Sequence, residues 1–218
     1  MSTLLLRLAA PLQAWGTESK FERRATEREP SKSGVIGLLA AALGRRRNEP
    51  VDDLAGLKFG VRVDKAGQIV MDFHTALGPK QTYVTKRLYL EDAVFLVGLE
   101  GNTEFLKSLE SAVNSPFFPL FLGRRSCPPT GRICLGVREV PLKEALLSEP
   151  FEASKRNDEP VNITLYMDTD EVGVYRQRDL PVSFSQAHRK YTYRYIKTHT
   201  QQHNGYKTEH DAFEGVGP

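Results

Sequence analysis

The sequence predicts an α+β fold: strand, helix, strand, strand, helix and strand in a split βαβ order, closing a four-stranded ferredoxin-like sheet with both helices on one face. Three observations carry that prediction. Val35, Leu38, Leu39, Ala42 and Leu43 recur at i, i+3, i+4, i+7 and i+8, one apolar helix face. Leu57, Phe59, Val61 and Val63 alternate with Lys58, Gly60 and Arg62, the period-2 pattern of a half-buried strand. A second helical face, Phe105, Leu106, Leu109, Ala112 and Val113, lies between an apolar strand at 93–99 and another strand at 133–140.

Thr3 to Leu8 is a short apolar run that suits a central strand buried on both faces. The polar connection that follows, residues 10–29, carries Trp15, Lys20, Arg23, Arg24 and Arg28, and connections of this length usually have a function. Its arginines alternate with Glu22, Glu27 and Glu29, so a self-neutralising loop and a phosphate-contacting one are both open. Trp15 can stack on a base or close the core. Ser31 or Ser33 caps the first helix and Gly44 stops it, while Gly34, Gly37 and Ala41 form a small-residue stripe that admits a close neighbour. The free N–H groups of its first turn, with Lys32 beside them, form either a phosphate cradle or an ordinary capped start with a solvated lysine. Arg45, Arg46 and Arg47 complement the helix dipole without needing a ligand.

The turn Asp64–Gly67 is expected to fold the strand back into a hairpin with 69–73, where Ile69, Met71 and Phe73 point one way. Residues 75–90 then form an excursion around a Gly-Pro turn, with Lys80, Tyr83, Lys86, Arg87 and Tyr89 interleaved. Cations and rings in that pattern grip single-stranded nucleic acid at about 1–3 kcal/mol per stacked base, though tyrosines are also good strand formers. Asn102 caps the second helix and Asn114–Pro116 ends it.

Beyond Pro141 the pattern is less regular, with candidate strands at 162–167, 172–176 and 191–196. The expected division is a first domain over 1–145, the hairpin excursion at about 75–90, a smaller β-rich extension over 146–200 leaning on the first sheet, and a loose tail over 201–218. Tyr191, Tyr193 and Tyr195, preceded by Arg189 and Lys190, offer a contact surface or pack an edge strand.

Composition sets outer limits. A chain of 218 residues, 40% hydrophobic and 26% charged, is that of an ordinary folded protein. The opening residues lack the basic start of a signal peptide and no apolar run is long enough to span a bilayer, so a cytoplasmic protein without a membrane is expected. Cys127 and Cys134 are too few for a disulfide framework, and no metal or cofactor is expected. A net charge of +3 and a pI of 8.8 do not establish nucleic-acid binding by themselves.

Clustering is more informative. In "LGRRSCPP", Gly123 lets a backbone come close, Arg124 and Arg125 present paired donors that match phosphate geometry, and Ser126 adds a hydroxyl before two stiff prolines. The same arginines could instead bridge to carboxylates of the fold. His74, at the root of the hairpin, is either a general base for a ribose 2′-hydroxyl or a structural histidine. His188, His199, His203 and His210 come late, and 199 and 203 would make a metal face only on a helix. No phosphate loop, nucleophile elbow or carboxylate pair is present.

The stretches "LLLRLAAPLQAWG", "PSKSGVIGLLAAALG", "DFHTALG", "RLYLEDAVFLVGL" and "LGRRSCPP", in that order, resemble the CasD-type subunits of type I-E CRISPR Cascade complexes, members of the RAMP superfamily of RRM-like, ferredoxin-like RNA-binding proteins. The resemblance runs from Leu4 to about Val140. It implies a non-catalytic subunit that grips the 5′ handle of the crRNA, touches CasC-type backbone and CasA-type large subunits, and meets target DNA only indirectly. It implies handle contacts at Lys32, Ser33, Arg124 and Arg125, and a thumb in the hairpin after His74, shorter here than in some relatives. With the features above, the expected RNA-binding set is Trp15, Arg23, Arg24, Lys32, Ser33, Lys86, Arg87, Gly123, Arg124, Arg125 and Ser126. The rival is a metal-independent endoribonuclease for repeat RNA, as in the type I-C branch. No histidine lies between Leu4 and Phe73, where many RAMP nucleases keep their site.

Overall fold

The computed structural model describes residues 1–16, 19–20, 23–77, 82–151, 161–172 and 174–203. The hairpin tip with Lys80 and the end of the tail with His210 lie outside the described residues. The chain opens with β1 (Ser2–Ala9) and three two-residue strands, β2 (Leu12–Gln13), β3 (Ser19–Lys20) and β4 (Arg23–Arg24). Helices α1 (Lys32–Ala42) and α2 (Asp52–Ala55) precede strands β5 (Lys58–Lys65), β6 (Gln68–Leu77), β7 (Thr82–Glu91) and β8 (Val94–Gly101). Then come α3 (Thr103–Asn114), β9 (Cys134–Arg138), α4 (Leu142–Ser148), β10 (Val161–Thr169), β11 (Tyr175–Ser183) and β12 (Lys190–His203).

The result is a mixed α/β structure whose strands pair mostly antiparallel. One sheet runs β11-β12-β10-β5-β8-β1-β9, and a second runs β2-β7-β4-β3 with β6 on the other side of β7. β1 lies at the centre of the first half, paired Ser2↔Gly101 to Ala9↔Val94 with β8 and, on its other edge, with β9. Alternation divides its leucines between two cores: Leu4, Leu6 and Leu8 face one way under α1 and α3, and Leu5 faces the other under α4. β8 does the same, with Phe95, Val97 and Leu99 against Leu96. Burial on both faces is what the unbroken apolar runs demand.

Helix α1 forms as its sequence predicts. Ser31 accepts a hydrogen bond from Gly34 N at 3.3 Å, and Gly44 closes the end with φ +77°. The small-residue stripe takes side chains rather than backbone: a Cβ on Gly34 would lie 2.8 Å from the Trp15 ring.

Three expectations fail. First, β5 and β6 do not form a hairpin. Both edges of β5 are taken, by β8 and β10, so the chain leaves the sheet after Gly67 and β6 pairs with β7 instead. Gly67 makes that exit with φ +67°, and a Cβ there would come within 2.4 Å of Glu91 O. Second, β5 is not half-buried. Arg62 is fully enclosed, pairing with Asp64 at 2.7 Å and donating to the carbonyls of Leu146, Glu149 and Pro150 at the end of α4. α4 was not legible as a helix, and it covers the face on which Arg62 was expected to meet water. Third, the C-terminal strands do not lean on the sheet. β10 pairs with β5, Thr164↔Val63 to Met167↔Gly60, and the sheet continues through β12 to β11.

Candidate nucleic-acid interface

The outer face of α1 is the floor of a groove of about 1490 Å³. Ser33, Gly34, Gly37 and Ala41 line the floor because none carries a side chain long enough to fill it. One wall is the segment after α3, with Phe118, Phe121, Gly123, Arg124 and Arg125. Phe184, Arg189 and Tyr191, around the β11–β12 turn, form a second wall, with Phe184 over Gly37, and Arg24 and Arg45 to Arg47 add to the lining. Among the described residues, seven arginines therefore line this groove, and no aspartate or glutamate does.

Two of the seven are engaged. Arg45 forms a two-pronged pair with Asp53 and donates to Pro50 O at 3.0 Å. That pairing holds the guanidinium above its ordinary range and Asp53 below its own. Arg124 donates to Leu88 O and Arg24 O, both at 3.1 Å, and lies 4.6 Å over the Tyr89 ring, tying the wall to β7 and β4. Burial raises the Tyr89 phenol, but hydrogen bonds with Ser126 and Arg124 and the Arg124 charge outweigh it and lower it overall. Among the described residues, no carboxylate pairs with Arg24, Arg46, Arg47, Arg125 or Arg189.

Gly123 fixes the wall. Its φ is +88°, and a Cβ would fall 1.7 Å from Ala14 O, a backbone atom. Ala14 N donates to Leu122 O at 3.1 Å and Cys127 N to Arg124 O at 2.9 Å, so the turn holding both arginines is closed upon itself and upon β2.

Several sequence candidates are placed elsewhere. Lys32 is 4% exposed, with Nζ 2.7 Å from Leu57 O and 2.8 Å from Asp168 Oδ2. Its backbone N–H donates to Asp179 Oδ2 at 2.7 Å. The anion drawn to the start of α1 is thus internal, and Lys32 is out of reach of a phosphate. Trp15 lines the groove beside Gly34 but is 1% exposed and donates to Gln13 Oε1 at 3.0 Å, so it closes the bottom and leaves little surface for stacking. Lys86, Arg87 and Ser126 are not in the groove. Lys86 is exposed on β7 opposite Phe73, and Arg87 is half-buried opposite Asp72. The backbone of Arg23 pairs with that of Lys86. The groove gathers Trp15, Arg24, Ser33, Gly123, Arg124 and Arg125 of the expected set.

What the sequence reading passed over is the far wall and the arginines past α1. Arg189 and Tyr191 were visible as a cation beside tyrosines, but nothing local put them in one groove with Arg125. His74 Nε2 lies 2.6 Å from Asp72 Oδ2 without the alignment of a hydrogen bond, away from the groove. Burial, then Lys143 and Lys197, lower His199. Burial raises both thiols. Among the described residues, no cluster of three or more His, Cys, Asp or Glu could hold a metal, and no helix is long and apolar enough to cross a membrane.

A groove lined by arginines and aromatic rings, with no acidic side chain among its described residues, suits a polyanion that carries flat rings, the chemistry of a nucleic-acid-binding protein. Comparison gives the family: residues 3–197 match the model described as CRISPR-associated protein (Cas_Cas5), and the chain belongs to that family. It is 36% identical to the CRISPR system Cascade subunit CasD of Escherichia coli (strain K12) over 185 residues, 73% of this chain and 83% of the relative. A solved structure described as a CRISPR RNA-guided surveillance complex contains a chain 35% identical, with a TM-score of 0.79 over 92% of this chain and 90% of that one. A crystal structure of a Cas protein is 41% identical, with a TM-score of 0.75 over 91% and 94%.

Proposed function

We propose that this chain is a non-catalytic crRNA-binding subunit of a cytoplasmic Cascade surveillance complex acting against foreign DNA, and that its groove grips the 5′ handle of the crRNA. The observation that carries the reading is the groove itself, where Arg24, Arg46, Arg47, Arg125 and Arg189 line a cleft to which no described residue adds a carboxylate. Guanidinium forks suit phosphates, and a cleft walled by Phe118, Phe121, Phe184 and Tyr191 suits the unstacked bases of a single strand. The likeness to the Escherichia coli Cascade subunit and to a chain of an RNA-guided complex points the same way.

The same reading takes β9-β1-β8-β5, with α1 and α3 on one face, as a ferredoxin-like βαββαβ unit of the RAMP kind, since neighbours in that order are the fourth, first, third and second strands of such a fold. It takes β6–β7 as the thumb and β10 to β12 as the extension. On one face of the thumb Ile69, Met71, Phe73, Leu77 and Val84 are exposed, an apolar stripe suited to a CasC-type backbone subunit. A CasA-type large subunit is the other expected neighbour, and target DNA is met only through the complex.

The test is Arg125→Ala with Arg189→Ala, assayed for binding of single-stranded repeat RNA over a range of salt. Each lost phosphate contact is expected to flatten the log–log salt slope by about 0.7. An unchanged slope with unchanged affinity would sink the groove assignment. The endoribonuclease alternative rests on His74 beside Asp72, and His74 does not face the groove. Discrete cleavage of repeat RNA in EDTA, ending in a 2′,3′-cyclic phosphate and lost in His74→Ala, would establish it instead.

A further inference from the structure

We infer that the β11–β12 hairpin provides a seat for one unstacked nucleobase in this groove, formed by Phe184 and Tyr191, with Arg189 available to the adjoining phosphate. The inference rests on the groove reading above and adds a subsite within it.

The two rings lie 6.4 Å apart at 65°, an open corner that can meet a flat ligand with a face on one side and an edge on the other. Both are half-buried and line the groove, whereas the enclosed side chains of β12 are Arg194 and Ile196. Phe184 Cζ is 3.8 Å from where a Cβ on Gly37 would stand, so the corner stands directly over the bare stretch of α1. A base leaning on these rings would have its phosphate side toward the arginines of the two walls. Stacking needs only a π-face, so the seat selects for an exposed base rather than for a particular one.

The seat is held rigidly. Asp179 of β11 accepts from Lys32 N at the start of α1 and from Arg194 Nε of β12 at 2.6 Å. Asp168 of β10 takes Lys32 Nζ at 2.8 Å and Arg194 Nη1 at 2.7 Å. Lys32, Asp168, Asp179 and Arg194 are positioning residues: they fix the hairpin to the helix under it, so the corner exists before a ligand arrives.

The full chain is titrated with short single-stranded RNA from the 5′ side of the repeat product, intact and with an abasic nucleotide at each position in turn. Tyr191→Ala and Phe184→Ala are expected to weaken intact RNA about 5- to 150-fold with an unchanged salt slope. At one position the abasic substitution should weaken the wild type and cost Tyr191→Ala nothing more. Tyr191→Phe should retain binding, and Tyr191→Leu, which keeps apolar bulk without a π-face, should lose it. Aromatic variants that bind like the wild type while Arg125→Ala with Arg189→Ala binds poorly would overturn the seat and leave the groove standing. Abasic losses that add to the Tyr191→Ala loss at every position would overturn it too. If the arginine variants also bind like the wild type, the groove reading fails first.

Discussion

Two groups of cations stand at opposite ends of one helix environment and do opposite things. Under the start of α1, Lys32 and Arg194 are enclosed by Asp168 and Asp179, with every charge answered inside the protein. Along the outer side of the same helix and past its end, Arg46, Arg47, Arg125 and Arg189 face an open groove with no acidic lining among the described residues. The first group has its polar partners already and serves to hold two parts of the chain in register. The second has surface, solvent and direction, which are the conditions for meeting something external. A basic residue beside a helix N-terminus is therefore no sign of an outside anion until the rest of the chain has been consulted.

The strongest way to break that contrast is to open the enclosed group. Asp179 is fully buried, and Asp179→Ala leaves the Lys32 amide and the Arg194 guanidinium without it. Removing one partner of a buried pair costs about 3–5 kcal/mol. Urea denaturation should lose stability on that scale, while the salt slope of RNA binding by the folded fraction stays as it was. Wild-type stability would mean the cluster is not a structural tie.

Gly123→Ala sharpens the other side. The added carbon meets Ala14 O and forces a residue with φ +88° into strain, an effect of about 1–3 kcal/mol, so the arginine turn must shift. The expected signature is a stability loss accompanied by weaker RNA binding and a flatter salt slope, whereas Asp179→Ala, which loosens the hairpin and its aromatic seat, should leave the salt slope unchanged once its unfolded fraction is allowed for. Equal RNA affinity per folded molecule would show that the turn's position is unimportant.

The smallest effect belongs to Glu29, at the margin between the two regions. Burial, then Glu27, raise its carboxyl, with Asp179 adding to the rise and Arg194 and Arg28 opposing it; Tyr166 and Tyr175 feel its charge in turn. A folded pKa above the unfolded one means the folded state holds its proton longer, so ionised Glu29 opposes folding above that folded pKa. Glu29→Gln should raise the melting temperature slightly at neutral pH, and the gain should vanish as pH falls below the ordinary carboxylate range. A gain independent of pH would remove the burial argument.

Much of the fold was legible where periodicity and local chemistry agree. β1 reads as a doubly buried strand, α1 as a helix capped by Ser31 or Ser33, of which Ser31 is the one used, and α3 as one capped by Asn102, whose Oδ1 accepts from Glu104 N and Phe105 N. Pairing was less legible, because alternation tells which residues share a face and not which strand lies alongside. Residues 57–73 read as one hairpin for that reason, while the partners of β5 came from 94–100 and 164–167. The site was legible on one wall and, through Arg24 and Ser33, in part of the remaining lining. "LGRRSCPP" announced a turn with cations, but Arg189 and Tyr191 reached the groove through sheet order, and Lys32 left it because of two aspartates that no local pattern connects to it.

Those two aspartates have a further consequence during synthesis. Asp168 and Asp179 follow Lys32 by 136 and 147 residues, so α1 emerges from the ribosome long before its first turn can be completed. Until the last strands are made, a lysine destined for the interior and the amide beside it must stay in water or be shielded by a chaperone, whatever the helix behind them has already become.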